Sequence, residues 1–220
     1  MSYAHCRDYN GVAMTEAMRT IPRIAPIGAP VWEIAELFPE QGSWSEKAYL
    51  ALESNRLVEF DNGMIEVLPM PKKLHQIIML FLAELLKAYF AARSGGGLVL
   101  VAGYKIRIPG GKYRDPDVLY MTGEQNARSN EDFTDQAELV MEVVSPDDPN
   151  RDYVRKRVDY ALAGIPEYWI VDPLQARIVV LTLFDGAYVE HGTFVSGQIV
   201  TSNRFPGLSV AVDEVWKLRH

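Results

Sequence analysis

Two acidic residues stand where the sequence predicts buried β-strands. Asp117 opens the short apolar stretch DVLYM, and Glu142 lies in the middle of ELVMEVVSP. A strand this apolar is usually covered on both faces, and an unpaired carboxylate inside it costs on the order of several kcal/mol. If the two strands are neighbours, both carboxylates can point into one pocket. Two such oxygen ligands suit Mg²⁺ or Mn²⁺, which prefer carboxylates and keep several waters.

A second explanation stays open for Glu142. In the metal-ion explanation, a bound cation removes the repulsion between two close carboxylates, which would otherwise raise the pKa of one of them. A buried glutamate that pairs with an arginine or lysine would also fit the pattern, as would a strand with one exposed face. The residues alone therefore indicate a charged site and leave open what neutralises it.

Lys156 is the third residue that could take part in such chemistry. It lies on the helix predicted to follow the strand ELVMEVVSP, where its ammonium could polarise a water molecule or balance charge in a transition state. The alternative is a surface ion pair with Asp152, four residues earlier. The helical pattern favours this alternative, because Lys156 lies nearly opposite the apolar stripe. That stripe consists of Val154, Val158 and Ala161.

The elements that must position these residues are predicted from periodicity and turn signals. Ser43 and Glu46 have capping-box spacing and predict a short helix over about residues 44 to 53. Asn62-Gly63 joins strands near 56–60 and 64–68 in a hairpin, and Asp185-Gly186 marks a later hairpin turn. A largely apolar helix, predicted to be buried, runs from about His75 to Ala92, and a long strand or bulged pair follows over LVLVAGYKIRIP with Gly103 as a bulge. A strand at DPDVLYM and a loop from Thr122 to Gln136 come next. The remaining predicted elements are the strand ELVMEVVS, the helix RDYVRKRVDYALA, the strand EYWIVDP and antiparallel strands in the tail. The core order of helix, strand, strand, strand, helix and strand, with a hairpin on each side, indicates a mixed α/β class.

Length, charge and cysteine content limit the possibilities further. The 220 residues predict a single domain over 43–220, preceded by an irregular arm over 1–42. The one cysteine, Cys6, excludes an intramolecular disulfide and a cysteine-based metal site, and fits a reducing cytoplasm. Charges interrupt the run IIMLFLAELLKAYF, so we expect no membrane span, and no signal peptide is expected. The net charge of −7 argues mildly against a protein that coats nucleic acid by charge alone.

The motifs together resemble a large prokaryotic family of restriction endonuclease-like proteins within the PD-(D/E)XK nuclease superfamily. The resemblance rests on DPDVLYM, on ELVMEVVSPDD, and on the lysine and tyrosine four residues apart in KRVDYALAGIPEYWIVDP. The resemblance extends over roughly residues 43 to 216. Its outer parts are LVEFDNGMIEVLPMP, which a histidine-led helix follows, and the tail from DGAYVE to FPGL. The resemblance implies a four-stranded mixed core sheet flanked by helices.

The resemblance also implies a division of roles at the site. It assigns the metal-binding aspartate to Asp117 and the second acid to Glu142, so that these side chains and the backbone carbonyl of Val143 would hold Mg²⁺, with Mn²⁺ able to substitute. The superfamily pattern expects a lysine two residues after the second acid, where this chain has Val144. The resembling family supplies that lysine from the next helix, which here matches Lys156.

Three further residues are candidates for a supporting role. Glu59 matches an acidic position in the family's hairpin and could be an additional ligand or pair with a nearby base. His75 opens the apolar helix and could cap a turn or carry a proton. Tyr160 is the tyrosine that follows Lys156 by four residues.

A group of basic residues is also predicted to lie around the site. These side chains could hold phosphates, or they could form an ordinary solvated surface. The group consists of Lys72, Lys73, Lys105, Arg107, Lys112 and Arg114.

The leading hypothesis is a Mg²⁺-dependent endonuclease that hydrolyses phosphodiester bonds in DNA. Asp117, Glu142 and Lys156 would be its catalytic residues. Cleavage of both strands needs two active sites, so we expect a homodimer. The alternative is a catalytically weak nuclease fold that binds nucleic acid or dimerises, which the negative charge and the displaced lysine favour slightly. A metal-assisted hydrolase for another phosphoester is a third hypothesis.

Overall fold

The computed structural model describes residues 38–54, 56–93 and 97–218. The predicted irregular arm over residues 1–42 therefore lies largely outside the described residues. The α-helices within these ranges are α1 (Glu46–Leu50), α2 (Lys73–Ala91), α3 (Gly123–Arg128), α4 (Lys156–Leu162) and α5 (Val212–Lys217), and a π-helical turn (Arg151–Arg155) leads directly into α4. The strands are β1 (Val58–Asp61), β2 (Met64–Val67), β3 (Gly97–Val101), β4 (Lys105–Ile108), β5 (Lys112–Arg114), β6 (Val118–Thr122), β7 (Phe133–Thr134), β8 (Leu139–Val143), β9 (Glu167–Asp172), β10 (Arg177–Phe184), β11 (Ala187–Val195), β12 (Ile199–Thr201) and β13 (Ser209–Ala211).

The larger of two mixed sheets has six strands in the order β11-β10-β9-β8-β6-β3. The β8–β9 pair is parallel and the other pairs are antiparallel. Strand β8 is buried throughout, and its side chains alternate between two apolar clusters. Met141 packs on the α2 side, whereas Val140 packs with Tyr160 of α4 on the other. The sheet is therefore covered on both faces, as the apolar sequence of β8 predicts.

The smaller mixed sheet has five strands in the order β2-β1-β5-β4-β7. Asn62-Gly63 forms the β1–β2 turn with φ of 47° and 87°, and Asp185-Gly186 forms the β10–β11 turn with φ of 48° and 78°. Both predicted hairpins are confirmed, because paired positive φ angles are what these two-residue turns require. The mixed α/β class is confirmed as well.

Several predicted boundaries are wrong for local reasons. The cap of α1 is Ser45, whose hydroxyl accepts from Ala48 N at 3.1 Å, so Ser43 does not start this helix. Gly103, with φ of 109°, lies in a turn between two strands of different sheets instead of forming a bulge. The polar stretch after β6 is not only loop, because Thr122 and Gln125 form a capping box that starts α3.

Helix α2 is less buried than its composition predicts. Ile78, Leu82, Ala83 and Leu86 are buried, whereas Leu80 on another face is 51% exposed. By length and composition alone, its 19 residues and mean hydropathy of 1.4 are enough to cross a membrane, a test that core helices of soluble proteins also pass. The expectation of no membrane span stays a prediction. The four buried side chains belong to the apolar cluster that covers the larger sheet.

Candidate active site

A cleft of about 440 Å³ contains the acidic residues singled out in the sequence. Its walls come from the segment between β2 and α2, the first turns of α2, the segment after β8, the π-helical turn and the turn after β9. Its charged or titratable lining residues are Lys72, His75, Asp115, Asp117, Glu142, Asp147, Arg151, Asp152 and Lys156. Much of the remaining lining is apolar: Leu57, Leu68, Pro69, Met70, Pro71, Leu74, Met79, Val144, Pro146, Pro173 and Leu174.

The register of β6 and β8 brings the two predicted acids together. Val118 pairs with Met141 in this antiparallel ladder, so one further step along the strands places Asp117 opposite Glu142. Residues directly opposite in an antiparallel pair present their side chains on the same face. The proximity predicted from the sequence is therefore a consequence of strand register.

Asp117 is fixed by hydrogen bonds to both of its oxygens. The Nε2 atom of His75, in the first turn of α2, lies 2.8 Å from Oδ1. The backbone N–H of Val143 donates to Oδ2 at 2.7 Å. Because the N–H and C=O of one strand residue point to the same side, the carbonyl of Val143 also points toward β6 and Asp117. His75 therefore orients the aspartate from α2, whereas its predicted roles in capping a turn or carrying a proton stay predictions.

Glu142 is only 2% exposed and contacts two donors on α4. The Lys156 Nζ atom lies 2.8 Å from Oε1, and the Tyr160 hydroxyl donates to the same oxygen at 2.5 Å. Burial raises the pKa of Glu142 well above its usual value, although the Lys156 ammonium acts against this rise. The explanation that Glu142 pairs with a lysine is therefore confirmed, and the explanation that it binds a metal ion stays a prediction.

Lys156 is buried among carboxylates and is not on a solvated face. It is 4% exposed, and its Nζ atom also lies 3.5 Å from Glu59 Oε1 and 3.7 Å from Asp152 Oδ1. Burial acts to lower the pKa of Lys156, but the surrounding carboxylates outweigh this and raise it. The lysine therefore remains an ammonium at neutral pH.

The helical pattern assigned the wrong face of this segment to the interior. Val154 and Val158, two members of the predicted apolar stripe, are 56% and 57% exposed. The face that points inward carries Asp152, Lys156 and Tyr160, which recur every four residues. Ionic and hydrogen-bonding contacts with the interior therefore outweigh the burial of two valines.

Glu59 reaches the cleft region from the smaller sheet. It lies on β1, is 2% exposed, and accepts from the backbone N–H of Asp115 at 3.3 Å. Its other oxygen lies 3.5 Å from Arg114 Nη1. Glu59 thus contacts both Lys156 and a base, which agrees with the supporting position expected for it.

Two buried acidic residues of the cleft were not predicted as site residues. Asp115 accepts from the backbone N–H of Gly103 at 2.6 Å, and Asp152 lies in the π-helical turn. Burial raises the pKa of each to about 6, opposed by the Gly103 N–H for Asp115 and by Lys156 for Asp152. The signal for Asp115 was the repeated aspartate in DPD. Asp152 was recognised only as the surface partner of a lysine that is in fact buried.

Half of the predicted basic group is occupied by ion pairs. Arg107 binds Asp135 at 2.7 Å, and Lys112 lies 3.1 Å from Asp159. Arg114 is 6% exposed and pairs with carboxylates of the interior. Of this group, only Lys72 lines the cleft. The prediction that all six side chains lie around the site is therefore wrong, and a contact between Lys72 and phosphate stays a prediction.

The donor set fits a cation that binds through few protein ligands. Among the residues that the structure describes, no three histidine, cysteine, aspartate or glutamate side chains lie close enough to hold a metal ion. Mg²⁺ is commonly bound by one or two carboxylates and several waters, whereas structural zinc needs four protein ligands. A carboxylate has about four lone-pair positions, so Asp117 can keep both hydrogen bonds and still accept an ion. Asp117, Glu142 and the Val143 carbonyl therefore fit Mg²⁺.

The fold and the cleft define a mixed α/β protein with an acidic site completed by a helical lysine. The chain matches the Uma2 family, described as putative restriction endonuclease, over residues 46–213. Because this match spans more than half of the chain, the protein belongs to that family. The resemblance found in the sequence is thereby confirmed.

A solved structure supports the same fold. The protein is similar to a putative nuclease belonging to DUF820 from Anabaena variabilis, with a TM-score of 0.64 and 16% sequence identity. The similarity covers 82% of this chain and 99% of that chain. At this identity the likeness shows the fold alone. No curated protein matches the chain.

Proposed function

We propose that the protein is a Mg²⁺-dependent endonuclease that hydrolyses phosphodiester bonds in DNA. One observation carries the proposal: Asp117 and Glu142 stand opposite each other at the end of the β6–β8 ladder, and the Lys156 Nζ atom lies 2.8 Å from Glu142. The Uma2 family assignment supports the reaction class. The choice of DNA as substrate and of Mg²⁺ as cofactor belongs to the proposal.

The arrangement of elements supports a restriction endonuclease-like core. Along the chain, α2 is followed by β3, β6 and β8, then by α4 and β9, with β4, β5, α3 and β7 inserted between these core elements. The four core strands, β3, β6, β8 and β9, are adjacent in the larger sheet in the order β9-β8-β6-β3. The sequence order of helix, three strands, helix and strand is the order expected for that core. The β1–β2 and β10–β11 hairpins flank it.

Each proposed catalytic residue has a partner that sets its position. Asp117, Glu142 and the Val143 carbonyl would hold Mg²⁺, and Mn²⁺ would substitute for it. When bound, such a cation lowers the pKa of a water molecule and stabilises charge on the phosphate. The Lys156 ammonium, held against Glu142, would orient the attacking water or offset the charge that develops on the phosphate oxygens. Tyr160 keeps Glu142 in place, and His75 keeps Asp117 in place.

A nuclease assay with matched variants tests the proposal. We expect wild-type protein with Mg²⁺ or Mn²⁺ to cut plasmid DNA, and Asp117→Asn and Glu142→Gln to abolish cutting with little change in melting temperature. Asp135→Asn, a surface carboxylate bound to Arg107, is the control and should cut normally. Direct conversion of supercoiled to linear plasmid would support the proposed homodimer. Cleavage retained in Asp117→Asn would refute the site assignment.

A further inference from the structure

We propose, on the basis of the function above, that Arg114 is a positioning residue that holds the Lys156 ammonium at the reaction centre. Arg114 lies on β5 of the smaller sheet, outside the cleft lining. It would act through Glu59 and Asp159, the carboxylates that connect it to Lys156 and to helix α4.

Helix α4 depends on such a residue because buried charged groups, together with the fully buried Tyr160, fix its orientation. Val158 and Leu162 on its outer face are 57% and 58% exposed, so they contribute little to docking. Lys156 and Asp159 on its inner face are 4% and 2% exposed. The rotation of the helix about its own axis therefore depends on what those buried charges contact.

Arg114 contacts the helix directly through Asp159. Its Nη2 and Nε atoms lie 2.7 Å and 2.8 Å from Asp159 Oδ2. Nη2 also lies 3.0 Å from Asp61 Oδ2, which ties the same guanidinium to β1. The planar guanidinium carries five donors in a fixed geometry, which suits one side chain that joins several carboxylates. Arg114 thus links the smaller sheet to α4.

Arg114 also reaches Lys156 through a second path. Its Nη1 atom lies 3.5 Å from Glu59 Oε2, and Glu59 Oε1 lies 3.5 Å from the Lys156 Nζ atom. Asp159 and Lys156 are three residues apart on α4, so they lie on the same side of the helix. One guanidinium therefore fixes both the helix that carries the lysine and a carboxylate that contacts its ammonium.

The placement of the lysine on a helix explains why this support is needed. A lysine two residues after Glu142 would stand on the segment that continues β8, and strand pairing would set its position. This chain has Val144 there, and its lysine comes from α4. The ammonium is then only as well placed as the helix. Arg114, with Lys112 beside it on β5, joins that helix to the smaller sheet, and of the two Arg114 makes the shorter contact with Asp159.

The experiment measures how readily Lys156 reacts with an amine-modifying reagent in the metal-free full chain, read by mass spectrometry of its peptide. In wild type the buried Lys156 should react slowly. Reaction of a buried group requires local opening, so Arg114→Leu should raise the rate at Lys156 by about tenfold. Arg114→Lys, which keeps the charge and loses the fork, should lie between the two.

Two further variants separate positioning from general stability. Glu167→Gln weakens a buried carboxylate that accepts from Ser202, Asn203 and Arg204, away from this network. It should leave the Lys156 rate near that of wild type even if it lowers the melting temperature as much as Arg114→Leu. If Arg114→Leu does not fold, the double variant Arg114→Leu with Asp159→Leu removes both charges, which buried pairs often tolerate, and should still expose Lys156.

Unchanged labelling of Lys156 in the folded Arg114 variants, or an equal increase in Glu167→Gln, would overturn the proposal. The measurement needs neither substrate nor metal. The two proposals can therefore fail separately. If the protein does not cut DNA, the labelling can still show that Arg114 positions Lys156. If the protein does cut DNA, the labelling can still show that Arg114 has no such role.

Discussion

At the scale of single residues, the cleft holds more negative than positive charge. Asp115, Asp117, Glu142 and Asp152 line it, and Lys156 is the ammonium buried among them. Burial raises the pKa of Asp115 and Asp152 to about 6, and the Lys156 ammonium opposes this rise only in part. A divalent cation would supply the missing charge, which is why this acidity supports the proposed metal site.

Asp152 provides a test of that charge imbalance through the pH dependence of stability. Its pKa rises from 3.8 to about 6, so the folded protein binds this proton more tightly than the unfolded chain does. The contribution of Asp152 to the free energy of unfolding of the metal-free protein should therefore fall as pH rises from about 4 to about 6. Asparagine cannot ionise, so Asp152→Asn should be more stable than wild type by about 1–3 kcal/mol at pH 8, with little difference at pH 4. Urea unfolding in EDTA measures both values, and a variant less stable than wild type at pH 8 would contradict the prediction.

At the scale of elements, local signals predicted the hairpins and periodicity predicted the helices, but neither predicted which face of α4 is buried. Asn62-Gly63 specifies its turn by itself. The orientation of α4 depends on Arg114 and Glu59, which lie more than 40 residues earlier in the chain. Short polar elements such as α3 were missed because a capping box, and not an apolar face, defines them.

The outer face of α4 yields a second prediction. Val158 is 57% exposed, whereas Val180 on β10 is fully buried. Val158→Glu should change the free energy of unfolding by no more than about 0.5 kcal/mol, as is usual at exposed positions. Val180→Glu places a charge in the core. It should prevent folding or lower the free energy of unfolding several-fold more than Val158→Glu does. Urea unfolding compares them, and equal destabilisation would show that the Val158 face is covered.

At the scale of the whole molecule, the sequence predicted the approach of Asp117 and Glu142 because neighbouring strands carry them. It did not predict the pairing of the basic residues, since Arg107, Lys112 and Arg114 meet their acids only after folding. In the part of the chain that the structure describes, these pairs neutralise part of the basic charge of the predicted group, and the net charge of the whole chain is −7. Binding of DNA should then depend on the cleft and its cation more than on a basic surface.

This charge distribution predicts a weak salt dependence of DNA binding. Each phosphate neutralised by a lysine or arginine adds about −0.9 to the slope of log K against log salt concentration, so we expect a slope of about −2 or shallower. Fluorescence anisotropy with labelled duplex in Ca²⁺, chosen to slow cleavage, measures it. Lys72→Gln, which changes a cleft-lining residue, should make the slope shallower by about 1. A slope steeper than about −5 would contradict the prediction, because it would show that DNA binds to a basic surface elsewhere on the protein.

The most direct test of the proposed site is calorimetric titration of Mn²⁺ into the metal-free protein, with Asp117→Asn and Asp135→Asn measured beside wild type. Metal binding does not depend on finding the right DNA sequence, so a negative result cannot be attributed to the wrong substrate. The proposal predicts that wild type and Asp135→Asn bind one or two Mn²⁺ and that Asp117→Asn, still folded, does not. Equal binding in all three proteins, or no binding by wild type even with an oligonucleotide present, would contradict it.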